Sequence, residues 1–423
     1  MNAFAERAAE KDFRPDSRQA WLRLAATILV STVGGVGMWS VVVALPPVQA
    51  EFAVPRSEAS LPFTLAMVGF AVGGVFMGRL LDRTGILGPL TLGAAALTIG
   101  YFGAASAGSL AMFALAHAVI GFGSSATFGP LIADISNWFV RRRGVAVTLC
   151  SAGNYLAGAV WPPIVQHAIA LYGWRATHVG IALTCGAVML LIGAAALRRR
   201  APAALIDAGA AARKGSPAAF GLSARALQTL LALASVCCCV AMSMPQVHIV
   251  AYCGDLGYGV ARGADMLALM MACGIVGRIG SGFIADRIGG LPTLMLGSAL
   301  QGVALLLYIL YDGLVSLYVI SAVFGLFQGG IEPSYAIIVR EYFPAKEAGT
   351  RVGIVLMMSL FGMALGGWMS GYIFDLAGSY RAAFVNGLAW NAVNGTIVLW
   401  LLFRRQGFGD RSALPMRGRE AAL

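Results

Sequence analysis

A chain of 423 residues that is 59% hydrophobic and only 12% charged lies outside the range of ordinary soluble domains. Its four histidines and seven cysteines show no zinc or haem spacing. No phosphate-binding loop, nucleophile elbow or metal-binding helix motif occurs, so no enzyme, cofactor or metal site is expected.

Apolar runs between charged or turn-rich breaks predict twelve helical spans, each near the twenty residues that a bilayer crossing needs. They fall at about 22–46, 58–81, 87–107, 110–134, 144–168, 176–197, 226–253, 263–285, 291–311, 315–339, 350–375 and 382–403. The net charge of +11 raises nucleic-acid binding, but its placement argues against it. Of 30 lysines and arginines, the odd-numbered loops hold only Arg56, Arg175, Arg262 and Arg381. All the others except Arg278 fall in the tails and even-numbered loops. That bias puts both termini in the cytoplasm of a multi-pass inner-membrane protein, with Arg141-Arg142-Arg143, Arg198-Arg199-Arg200 and Arg404-Arg405 as topology anchors.

Span 1 is too long, and lacks a small-residue cleavage site, to be a removable leader. It carries Trp39, a candidate to line a path. Span 2 ends in Gly78-x-x-x-Asp82-Arg83-x-Gly85. Phe128 in span 4 and Asn154 and Tyr155 in span 5 are further lining candidates. Residues 199–224 are the longest polar interruption, rich in Ala, Gly, Pro and basic residues, and read as a flexible cytoplasmic linker. The chain then divides into a tail (1–21), a six-helix bundle (22–198), the linker (199–224), a second bundle (225–403) and a tail (404–423). Two bundled halves make a monomer sufficient for function.

In span 7, His248 lies near the outer end, where imidazole can titrate near neutral pH. Cys237-Cys238-Cys239 points to different faces of one helix and reads as packing. Span 8 contains Arg278, which cannot shed its charge; holding it at the bilayer centre costs roughly 2.5 kcal/mol or more. It stands eight residues before Asp286, about 12 Å along a helix, near the midplane. Such a group survives facing a wet cavity, a fixed anion or a passing one, and its planar fork suits a carboxylate. Span 10 offers Glu332, beside Pro333, at a similar depth, with Tyr335 one turn on. Glu332 and a substrate carboxylate can compete for Arg278, releasing Glu332 to take a proton; equally, the pair can be a permanent brace. The sequence leaves both open.

The halves align on one offset. Gly78, Asp82, Arg83 and Gly85 become Gly282, Asp286, Arg287 and Gly289, each 204 positions later. Ala118-Val119-x-Gly121 becomes Ala322-Val323-x-Gly325, and Trp138-Phe139 becomes Tyr342-Phe343, by the same step. Shared spacing at several anchors indicates a duplicated six-helix unit. On this pattern the chain resembles the major facilitator superfamily, which implies an all-α membrane fold of twelve helices in two pseudo-symmetric bundles. Gly78, Asp82, Arg83, Gly282, Asp286 and Arg287 match that superfamily's cytoplasmic-loop motif. An acid there can sit against a helix N-terminus of the other half and close the inner mouth.

Three stretches narrow the resemblance. Trp39 to Pro46 with Glu51-Phe52 and Arg56-Ser57-Glu58, His248 to Tyr258 with Gly277-Arg278, and Phe374-Asp375 to Phe384 are similar to bacterial monocarboxylate-transporter-like proteins. The related oxalate/formate exchangers belong to the same group. The resemblance implies a small organic anion as substrate, bound by the span-8 arginine, here Arg278. It implies secondary active transport by alternating access, with proton symport expected ahead of anion exchange. The relatives' span-1 lysine and the acid one turn before the arginine are absent, since Gly274 occupies the latter place and span 1 has no charge between Arg23 and Glu51. Their relay is therefore not carried over. An exporter of larger amphipathic or drug-like compounds is the rival within transporters; a receptor that kept the fold and lost transport is the rival outside them.

Overall fold

The computed structural model describes residues 16–198 and 217–413, and these are built of helices with no strand. Most of the predicted linker, 199–216, lies outside the described residues.

Among the described residues, eleven helices are long and apolar enough to cross a membrane. One of them, Gly144–Ala196, has 53 residues, roughly 80 Å of helix and far more than one crossing needs. It bends at Gly173, whose φ of 76° and ψ of 163° break the helix, so it supplies spans 5 and 6. The total is twelve crossings in two six-helix bundles.

The other spans are Arg18–Phe52 (span 1), Arg56–Thr84 (span 2), Leu87–Ala105 (span 3), Leu110–Ser136 (span 4) and Ala224–Asp255 (span 7). Then come Val260–Ile288 (span 8), Gly290–Leu310 (span 9), Leu314–Tyr342 (span 10), Gly349–Ala377 (span 11) and Tyr380–Arg405 (span 12). Span 1 starts four residues before its apolar run because Ser17 caps it, accepting a hydrogen bond from the Ala20 amide at 3.3 Å. The last helix continues to Ala413, past the charges at which the apolar pattern stops.

Spans 4 and 10 are both broken at matched places. Span 4 passes from the helix Leu110–Ser124 through a 3-10 turn, Ser125–Thr127, to the helix Gly129–Ser136. Span 10 passes from Leu314–Gln328 through Gly329 and Gly330 to Ile331–Tyr342. The duplicated glycines explain where these spans run. A side chain at Gly121 would overlap the Ala66 carbonyl of span 2, and one at Gly325 would overlap the Met270 carbonyl of span 8. Spans 2 and 4, and spans 8 and 10, therefore cross backbone against backbone.

The halves meet along two seams, spans 2 with 11 and spans 5 with 8, with a lesser contact between spans 1 and 7. The repeat offset turns one seam into the other. At the end away from the chain termini the halves are tied. Asp375 of span 11 accepts from the Arg56 and Ser57 amides at 2.8 and 2.7 Å, and Thr64 donates to the Ala364 carbonyl at 3.1 Å. The terminal end carries the duplicated loop motif. Asp82, Arg83, Asp286 and Arg287 are exposed, and Gly78 and Gly282 face open space. At the opposite end Asp375 meets the start of span 2, a contact that the sequence reading did not anticipate.

Candidate substrate site

Arg278 sits on the span 5–8 seam. It is only 6% exposed, and its neighbours come from both halves. Its Nε donates to Ser151 Oγ of span 5 at 3.1 Å, and its guanidinium carbon lies 5.1 Å from the centre of the Tyr155 ring, one turn further along. That ring packs on Gly274, where any side chain would collide with it. The absence of an acid one turn before Arg278 is what lets Tyr155 lie under the guanidinium.

From the same half, Glu332 reaches Arg278 through one contact, Nη1 to Oε2 at 3.3 Å. This is a single-point grip, weaker than the two-point fork that guanidinium and carboxylate can form. Glu332 is 27% exposed and stands in the first turn of the second half-helix of span 10. There the positive end of the helix dipole favours its charge. The break at Gly329 and Gly330 creates that helix start, and Gly329 presses against the Gly274 carbonyl of span 8. Backbone contact without side chains is what brings Glu332 level with Arg278. The repeat-related Phe128 stands at the matching break of span 4, immediately before the helix that starts at Gly129, with its ring 6.2 Å from Phe70.

The remaining expected residues divide. The Trp39 indole donates to the Asn154 carbonyl at 3.3 Å and borders Gly158 beside Met271, so spans 1, 5 and 8 converge at it. The Asn154 side chain lies near Gly35 of span 1. Tyr335 and His248 are not brought to Arg278. The Tyr335 hydroxyl donates to Asn394 at 3.0 Å in the interior of the second bundle.

His248 is buried at the tied end. Its Nε2 lies 2.8 Å from the Gly367 carbonyl, which can only accept, so Nε2 carries the proton. Its Nδ1 accepts from the Tyr380 hydroxyl at 3.0 Å. That hydroxyl accepts in turn from Arg56 Nη1 at 3.0 Å, and Arg56 Nη2 meets Asp255 at 3.1 Å. With both nitrogens engaged, His248 is a fixed link in a chain of bonds and not a free titrating group.

Ser151, Arg56, Asp255, Asp375 and Tyr380 were given no site role by the sequence. The last four lie in the stretches that carry the family resemblance. Opposite charges at the rims of spans in different halves, at the end away from the termini, were the available signal. A fixed pair was overlooked as well: Arg23, counted only among the basic residues of the cytoplasmic side, is buried against Asp134 at 2.8 Å and lies over Trp138.

Comparison with known proteins agrees with this architecture. Residues 27–316 and 281–414 match the family model of the Major Facilitator Superfamily. The chain belongs to the major facilitator superfamily. This transporter is 28% identical over 338 residues to monocarboxylate transporter 13 of Bos taurus, covering 77% of this chain and 75% of that one. It is 26% identical over 389 residues to monocarboxylate transporter 11 of Mus musculus, covering 88% and 85%. Among solved structures, it superposes on a bacterial homologue of the human lysosomal transporter Spinster, in an inward-facing and occupied conformation, with a TM-score of 0.66. The identity there is 15%, over 95% of this chain and 98% of that chain, a likeness of fold. A superfamily member of this kind is a membrane transporter and not an enzyme.

Proposed function

We propose that this transporter moves a small organic anion of the monocarboxylate type by alternating access, with Arg278 as the group that binds its carboxylate. The observation that carries the reading is the half-used grip. A permanent cation lies on a seam between the bundles, held by one 3.3 Å contact to a carboxylate that is itself partly exposed. A substrate carboxylate offering two oxygens displaces Glu332 from that contact. The relatives named as monocarboxylate transporters support the same ligand class.

In this reading the terminal end faces the cytoplasm, following the distribution of basic residues, and the membrane is the inner membrane. The halves, residues 22–198 and 225–403, rock about the site as one functional monomer, joined through the segment 199–224. The exposed set Gly78, Asp82, Arg83, Gly282, Asp286 and Arg287 engages when the cytoplasmic mouth closes. Proton coupling enters at Glu332: once displaced, it takes a proton, and substrate and proton cross together. Trp39, Asn154, Tyr155 and Phe128 shape the space around the anion.

The test is a screen of small carboxylates for thermal stabilisation of the purified protein, repeated with Arg278→Lys. Lysine keeps the charge and loses the fork, so the bound carboxylate weakens by about tenfold or more, roughly 1.4 kcal/mol. Equal stabilisation of both proteins by the same carboxylate rejects the assignment.

A further inference from the structure

A second arginine, at the tied end, is buried like Arg278 and held like it by a single-point ion pair. Arg56, at the start of span 2, is buried, stacked 4.8 Å from the Phe374 ring centre. Its Nη1 is taken by Tyr380 and its Nη2 by one oxygen of Asp255, while its Nε is buried with no hydrogen-bond partner. The Nε–Nη2 edge, the edge that a carboxylate grips with two oxygens, is therefore half used. Asp255 is the weaker party: its side chain is 36% exposed, so water receives it at little cost. Directly over this pair is a cavity of about 430 Å³, lined by Pro46, Gln49, Arg56, Ala251, Gly254 and Asp255. It has room for a small carboxylate. Ala251 of span 7 also packs with Leu45 of span 1 and Ala59 of span 2, an apolar plug between the halves.

We propose that Arg56 is an outer carboxylate site: an anion in this cavity takes the Nε–Nη2 edge in place of Asp255. The exchange removes the ion pair that joins span 2 of one half to span 7 of the other. Binding from outside then loosens the tie that keeps the outer mouth shut. The proposal rests on the small-carboxylate reading and adds a second site, away from Arg278, that registers substrate before the path opens.

The test uses full-length protein in vesicles, with Leu45→Cys as a reporter of the plug and a membrane-impermeant maleimide added outside. The protein without Leu45→Cys gives the background from native cysteines. Acetate is the probe, and chloride at matched ionic strength is the control. Acetate raises the labelling rate about threefold, the scale of a partly exposed ion pair. It does so equally in an Arg278→Lys background and not in Arg56→Lys. Asp255→Asn, which leaves Arg56 in place, labels faster without acetate and responds at lower acetate concentration.

Three results overturn the outer site: no acetate effect in any protein, an acetate effect that disappears with Arg278→Lys, or an equal effect of chloride. Thermal stabilisation of Arg56→Lys by carboxylates reports on the central site alone. Stabilisation without an outer response leaves the central reading standing and the outer site refuted. An Arg56-dependent response without any such stabilisation refutes the central reading and leaves the outer site standing.

Discussion

At the scale of single residues, three arginines are buried among the described residues, Arg23, Arg56 and Arg278, and each is neutralised differently. Arg23 is fully committed. Asp134 meets its Nε and Nη2, and the Ala196 and Leu197 carbonyls at the end of span 6 take the rest. Asp134→Ala strands that charge and lowers stability by roughly 3–5 kcal/mol, seen as a lower melting temperature in detergent. The double replacement Arg23→Met with Asp134→Leu recovers most of the loss. Arg278 is uncommitted by comparison. Glu332→Gln keeps the shape of the contact and removes the titrating group. It abolishes accumulation driven by a proton gradient while exchange of labelled for unlabelled substrate continues. If Glu332 is a brace, proton-driven accumulation persists and the melting temperature falls instead.

At the scale of elements, the close crossings make a sharper demand than hydrophobicity does. Gly121→Ala or Gly325→Ala forces apart two backbones and costs about 1–3 kcal/mol, measured by thermal unfolding. Gly78→Leu is the contrasting case. It meets open space in this conformation and improves helix propensity, so stability holds; turnover falls because the mouth cannot close over it.

This contrast also shows what could be read from the sequence. Twelve spans, their halves and the 204-residue repeat follow from apolar length and recurring glycines, which are local properties. So does the depth of Arg278 and Glu332, since helix rise fixes it. The breaks in spans 4 and 10 were hidden, because Gly329-Gly330 and Phe128-Gly129 fit a continuous apolar run as well as an interrupted one. The roles of His248 and Tyr335 were also hidden. Depth along a helix says nothing about the face a side chain occupies, and both face the interior of their own bundle.

At the scale of the whole molecule, the seams are related by the repeat, but their charges are not. Asp375 corresponds to Leu171 and Arg56 to Val260, 204 residues apart in each case, so the span 5–8 seam has no equivalent of the outer tie. Asp375→Asn turns one of two carboxylate acceptors into a donor, so one of the Arg56 and Ser57 amides loses its partner and spans 2 and 11 separate more readily at that end. Spin labels on spans 2 and 11 report this as a longer distance between their outer ends.

The asymmetry has a consequence for the pair itself. Asp255 is partly wetted, so added salt weakens the Arg56–Asp255 contact by a fraction of a kcal/mol at most, while the more buried Arg23–Asp134 pair is screened still less.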